Sequence, residues 1–220
     1  MNALTATDTI TLKPPRSGGL HNDFRSVVEG RWQDVYPDVR ARMDRLLTSP
    51  ADTVFEGTGC VRRSRTGWVF AQLSRLFGGP LVRAQGEQVK VRVRVAPTAN
   101  GLRCWHREFI FADGTRQMVQ TTKIVDPKLG MLDAVGTEGE KLLAMKMRVW
   151  SQGKSLFFES DAYILRFRFL AIRIPAILTP GRLFAEHRDE GNGVFRYILA
   201  FRHPLWGETF YQDGLFRQVG

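Results

Sequence analysis

The stretch "VKVRVRV", residues 89–95, alternates without a break, with valines at every odd position and Lys90, Arg92 and Arg94 between them. A helix would scatter those valines around its circumference, whereas a strand, with a side-chain period of two, puts all of them on one face. The stretch reads as an antiparallel strand with one buried and one wet face. The same grammar continues downstream. "ADGT" holds Asp113 and Gly114, a two-residue hairpin signal between Phe111 and a strand running to about Val125. "AMKMRVW" alternates again, "SQGK" turns into "SLFFESDAY", and "GNG" at residues 191–193 separates "LFAEHRDE" from "VFRYILAF". "WGETFYQDGLFRQV" closes the chain. Roughly nine or ten short strands joined by tight turns predict one curved antiparallel sheet, a half-barrel or barrel.

Upstream the period changes. In "YPDVRARMDRLL", Val39, Met43, Leu46 and Leu47 fall at i, i+4, i+7 and i+8, Pro37 suits the first helical turn, and Pro50 stops the run. In "GWVFAQLSRLFGG", Val69, Leu73, Leu76 and Phe77 share a face and Gly78 suits a C-terminal cap. The fold class is therefore α+β, mainly antiparallel β, with two N-terminal helices covering an open end or one face of the sheet. Residues 1–20, rich in Thr, Pro, Gly and Ser, read as a flexible lead, and residues 21–220 as a single domain. No internal repeat is present.

Composition bounds the function. The chain has 220 residues, enough for one substantial core, and a formal net charge of +10 carried mostly by scattered arginines. Scattered arginine is ordinarily a solvated face; its alternative is affinity for anionic surfaces. Cys60 and Cys104 stand far apart with no CxxC, so neither a disulfide framework nor structural zinc is expected. The N-terminus lacks the basic and apolar regions of a secretory signal, and no run approaches the ~20 apolar residues of a membrane span, so a cytoplasmic location is the expectation. GxGxxG, Walker, GxSxG and HExxH patterns are missing, and the "EGTGC" run around Gly57 and Gly59 reads as strand rather than nucleotide loop. His21, His106, His187 and His203 are solitary, and no metal or cofactor is implied. Aromatics mixed with basic residues suit RNA superficially, yet no recognition motif accompanies them and nucleic acid is not expected.

The densest chemistry lies in "LRCWHREF", residues 102–109. On a strand, Cys104, His106 and Glu108 share one side and Arg103, Trp105, Arg107 and Phe109 the other. Neighbours two apart sit about 6.6 Å from each other, too far for a nucleophile and base that need roughly 3 Å. A triad within the strand is thus disfavoured, and no catalytic residue is assigned. The pattern leaves open which face turns inward. If it is the Trp105, Arg107 and Phe109 face, a cation lies among aromatics, at a cost unless paired or used. The simpler outcome is a structural salt bridge to Glu159 or Asp161; the other is a two-pronged grip on a carboxylate or phosphate. Residues 163–184 form a second notable run, apolar but broken by Arg166, Arg168, Arg173 and Pro175, which reads as buried strand and capping loop or as an edge lying on a membrane.

The order of these features resembles a bacterial family catalogued as domain of unknown function 4166 (DUF4166): a helix like "YPDVRARM", then "GTGCVRRSRTGW…LSRLFGGP" leading to "VKVRVRV", then Trp105-x-Arg107-x-Phe109, "RFRFLAIRIPAILTPG" and "YQDGL", over roughly residues 35–215. The resemblance implies a fold and a partnership with nicotinamide-dependent reductases, and brings no catalytic residues with it. The reading is a binding module for an apolar or amphipathic small molecule, with Trp105, Arg107 and Phe109 as candidate ligand contacts. The alternatives are an enzyme or accessory subunit working with a reductase, and a peripheral protein held weakly and mainly electrostatically on anionic membrane. Phe109, Met145, Met147, Phe167, Phe169 and Phe195 are candidate inward residues, able either to pack solid or to leave a cavity. Oligomeric state is not legible.

Overall fold

The computed structural model describes residues 9–11, 20–135, 142–167 and 170–219. In chain order the elements are β1 (Thr9–Thr11), β2 (Val28–Glu29), α1 (Pro37–Thr48), β3 (Thr53–Arg63), α2 (Arg65–Leu73), β4 (Gly86–Pro97), β5 (Arg103–Ile110), β6 (Arg116–Asp126), β7 (Gly130–Val135), β8 (Leu142–Gln152), β9 (Ser155–Phe167), β10 (Leu170–Ile174), β11 (Arg182–Gly191), β12 (Val194–His203) and β13 (Gly207–Val219). Ten of the strands close on themselves in the order β3-β4-β5-β6-β7-β8-β9-β11-β12-β13, with β13 pairing back to β3. Of the two outcomes the alternation allowed, the closed barrel forms, and every pair within it is antiparallel. Val89, Val91 and Val95 are buried, and Lys90, Arg92 and Arg94 lie on the opposite face.

The wall has one irregular place. β9 pairs β8 along its length, but on its other side it pairs β11 over residues 155–159 and β10 over residues 163–167. A bulge between Lys146 and Met147 leaves Asp161 as the extra, exposed residue of β9. Beyond the fork, β10 pairs with β1. The expected flexible lead falls largely outside the described residues; its strand β1 pairs residues 170–172. Phe169 and the side chain of Phe167 also lie outside the described residues.

α1 behaves as its periodicity predicts. Val39, Met43 and Leu46 are buried, Leu47 is half-buried, and the helix closes one end of the barrel with Phe24, which packs edge-on to Phe158 and Trp32. Arg103, at that end of β5, donates to the Ser49 carbonyl that ends α1.

The second helix departs from expectation in three ways. It follows β3 instead of preceding the sheet, and its last turn, Ser74–Phe77, is 3-10 before Gly78 ends it with φ of 95°. Its orientation is also inverted. The buried residues are Gly67, Ala71 and Ser74, while Val69, Leu73 and Leu76 are exposed. The cause is the closeness of docking: a Cβ on Gly67 would lie 1.8 Å from the Thr209 carbonyl oxygen of β13. Only the small face of α2 can approach that backbone.

Candidate functional site

The barrel settles which side of β5 turns inward. Trp105 and Phe109 are buried inside, with the half-buried Arg107 between them. Cys104, His106 and Glu108 belong to the outer side. Burial pushes the Cys104 thiol up, away from the reactive thiolate, and Glu108 pairs with Arg116 at 3.2 Å.

Two cavities occupy the interior. The larger, about 260 Å³, is walled by Phe109, Val119, Val135, Leu143, Met145 and Phe201 and reaches the surface at Leu73, Leu76 and Leu178. The smaller, about 50 Å³, lies beneath α1, against Arg42, Met43, Trp105, Lys123, Met147 and His187. Arg107, Asp133, Leu183, Tyr197 and Gln212 border both, so the two spaces meet at a polar girdle across the barrel. Ten strands explain the room: eight enclose an interior that side chains just fill, and each added strand widens it.

The expected salt bridge from Arg107 to Glu159 or Asp161 does not form. Glu159 lies on the outer face, paired with Arg182 at 3.4 Å and Arg148 at 4.0 Å, and Asp161 is the exposed bulge residue. Arg107 Nη1 instead donates to Thr121 Oγ1 at 3.1 Å. The neighbouring charges are matched. Lys123 Nζ lies 3.3 Å from Asp133 Oδ2, and Arg42 Nη1 lies 3.6 Å from Asp189 Oδ1. Among the described residues, then, Arg107 is an interior cation held by a hydroxyl and by no carboxylate.

The electrostatics follow from burial. Desolvation lowers the Lys123 ammonium, with Asp133 pulling it back, and the same effect lowers Arg42 against Asp189. His187 is held well below its usual value, first by burial and then by the cations Arg42, Lys123 and Arg107, so its ring is neutral near pH 7. Asp133 Oδ1, His187 Nδ1 and Arg42 Nε and Nη2 are buried without a hydrogen-bond partner, and all belong to residues around the smaller cavity.

The sequence reading found Trp105, Arg107 and Phe109 but missed Lys123, Asp133, Arg42, His187, Tyr197 and Gln212. A signal existed for two of these. Lys123 shares strand parity with Val119 and Thr121, and Asp133 stands between Met131 and Val135; both are charges placed where apolar side chains belong. Among the described residues no three His, Cys, Asp or Glu side chains gather as metal ligands, and no helix is long and apolar enough to cross a membrane.

Residues 36–216 match the model of a domain of unknown function, DUF4166. The chain belongs to this family. The match agrees with the span of the resemblance in the sequence, and every girdle residue of this DUF4166 barrel, from Arg107 to Gln212, falls inside it. No curated protein matches the chain. Among solved structures, the crystal structure of Rv2717c from M. tuberculosis is similar at 11% identity, covering 85% of this chain and 100% of that chain with a TM-score of 0.43.

Proposed function

We propose that this DUF4166 barrel binds one amphiphilic small molecule, its apolar body in the larger cavity and its anionic end on Arg107. The observation that carries the reading is the position of Arg107: a cation without a carboxylate partner, at the inner end of a greasy cavity that opens to the surface. Even a half-buried guanidinium facing an apolar cavity gains from a counter-charge, and its planar fork fits a carboxylate or phosphate in two-pronged fashion. Met145, with its adaptable thioether, suits a wall that yields to the ligand. At about 260 Å³ the cavity stands near the low end of small-molecule sites, which favours a single chain or small ring system over a two-chain lipid.

The test is titration with an environment-sensitive fatty-acid probe and with its neutral alcohol or ester counterpart. Arg107→Leu weakens the carboxylate by about 10- to 100-fold, the scale of a lost charge-assisted hydrogen bond, and leaves the neutral ligand nearly unchanged. Equal loss for both makes Arg107 structural, and failure of every apolar probe to bind the wild-type protein removes the reading.

A further inference from the structure

Three segments distant in sequence meet around the mouth of the larger cavity. Two of them, α2 with its 3-10 extension and residues 175–181, line the cavity, and the third, the turn between β12 and β13, packs against them. They are tied into one platform. Trp206 stacks on His203 with ring centres 4.1 Å apart and tilts against Phe70 at 5.8 Å, and His203 Nε2 lies 3.3 Å from the Ile177 carbonyl oxygen.

This platform shows water what a fold normally hides. Leu76 is 74% exposed, Leu178 67%, Leu205 64% and Trp206 47%, with Trp68 and Ile177 exposed beside them. Single exposed apolar residues are ordinary, but a contiguous group around a cavity mouth marks a surface that meets something. The charges nearby are almost all positive. Residues 62–79 and 173–182 contain no acidic residue, and the turn contributes only Glu208; against these stand exposed Arg62, Arg65, Arg75, Arg173 and Arg202. Large apolar side chains ringed by arginine, with the tryptophan at the margin, match the boundary between anionic headgroups and acyl chains.

We infer that the open end of the barrel docks on an anionic lipid bilayer, with Leu76, Ile177, Leu178 and Leu205 entering the interface and the arginines on the headgroups. The cavity then faces the membrane, and an amphiphile passes between bilayer and barrel without crossing water. This use of the surface rests on the cavity being a ligand site; the docking itself rests on the rim alone. Attachment combines electrostatic recruitment with shallow apolar insertion, so it is not purely electrostatic.

The experiment is co-sedimentation of the full chain with phosphatidylcholine vesicles, with and without phosphatidylglycerol. Expected is binding at least about tenfold tighter to the anionic vesicles, reduced about fivefold for each arginine neutralised in Arg65→Gln and Arg75→Gln. Ile177→Ser with Leu205→Ser, neither of which lines the cavity, reduces binding roughly tenfold, and the loss persists when salt screens the charges. Brominated acyl chains quench Trp68 and Trp206. Absent vesicle binding, or binding indifferent to both sets of substitutions, overturns the inference. So does concentration-dependent dimerisation without lipid that the Ile177 and Leu205 changes abolish, which would make the rim a contact with a second copy. Soluble-probe binding measured on the same rim variants separates the two readings: probe retained with vesicles lost tests the rim, and the reverse tests the cavity.

Discussion

Both ends of this barrel are covered by a helix, and the two helices do opposite things. α1 turns Val39, Met43 and Leu46 inward and closes its end over a cavity of only about 50 Å³. α2 turns Gly67, Ala71 and Ser74 inward and leaves Leu73 and Leu76 beside an opening into about 260 Å³. Both carry an apolar stripe, so amphipathicity does not decide the outcome. The difference lies in the other stripe. α1 has polar residues opposite its apolar face and can only plug; α2 has small residues there, which dock closer to the sheet than its large ones could. One end is closed by packing and the other is left open.

That contrast can be broken by mutation. The largest effect belongs to the closed end: Phe24→Ala, at a side chain 1% exposed between Phe158 and Trp32, destabilises by about 3–5 kcal/mol in urea unfolding. A loss under about 1 kcal/mol would mean that this end is looser than its packing indicates. Next comes the docking of α2. Gly67→Ala forces a methyl against the Thr209 carbonyl and costs about 1–3 kcal/mol, with α2 residues losing hydrogen-exchange protection before the strands do. Unchanged exchange in α2 would show that some other contact fixes it.

The third effect depends on pH and belongs to the closed end again. His187 has a folded-state pKa well below the 6.5 of a free side chain, so from about pH 7.5 upward it is neutral in both states and contributes almost no pH dependence. As pH falls below that value the unfolded chain takes the proton first and stability drops, by up to about 1.4 kcal/mol per pH unit, until the folded ring titrates too. His187→Leu flattens the urea midpoint against pH in that window relative to wild type; parallel curves would mean that the ring is already solvated. Smallest is the open end: Leu76→Ala, at a side chain 74% exposed, changes stability by no more than about 0.5 kcal/mol.

The same contrast explains what could be read in advance. The antiparallel sheet was legible because alternation is a local property: "VKVRVRV" places its valines on one face whichever strand pairs with it. The partial site was legible for the same reason, since Trp105, Arg107 and Phe109 share parity. Closure was not, because the pairing of β13 with β3 joins residues more than 140 apart in sequence and leaves no local mark. Nor was the partner of Arg107: Glu159 and Asp161 are close to the right strand position, but the bulge at Asp161 and the outward parity of Glu159 put both carboxylates on the wrong side. The orientation of α2 was hidden for a third reason. A large apolar stripe reports that something apolar will cover it, and the sequence does not say whether that cover is the chain's own core.

The fork in β9 has a mechanical consequence. Because β9 exchanges β11 for β10 part-way along, the barrel wall has a slot, and residues 175–181 span it as a strap that is a rung of neither ladder. The strap is fastened by a few bonds: Tyr163 Oη donates to the Gly181 carbonyl, Thr209 Oγ1 to that of Pro180, and His203 abuts that of Ile177. Each such fastening is worth about 1 kcal/mol, whereas parting any two wall strands would sever a whole row of backbone bonds at once. The edge of the aperture is thereby energetically separate from the shell: releasing the strap would cost its few fastenings and none of the rows that hold the walls.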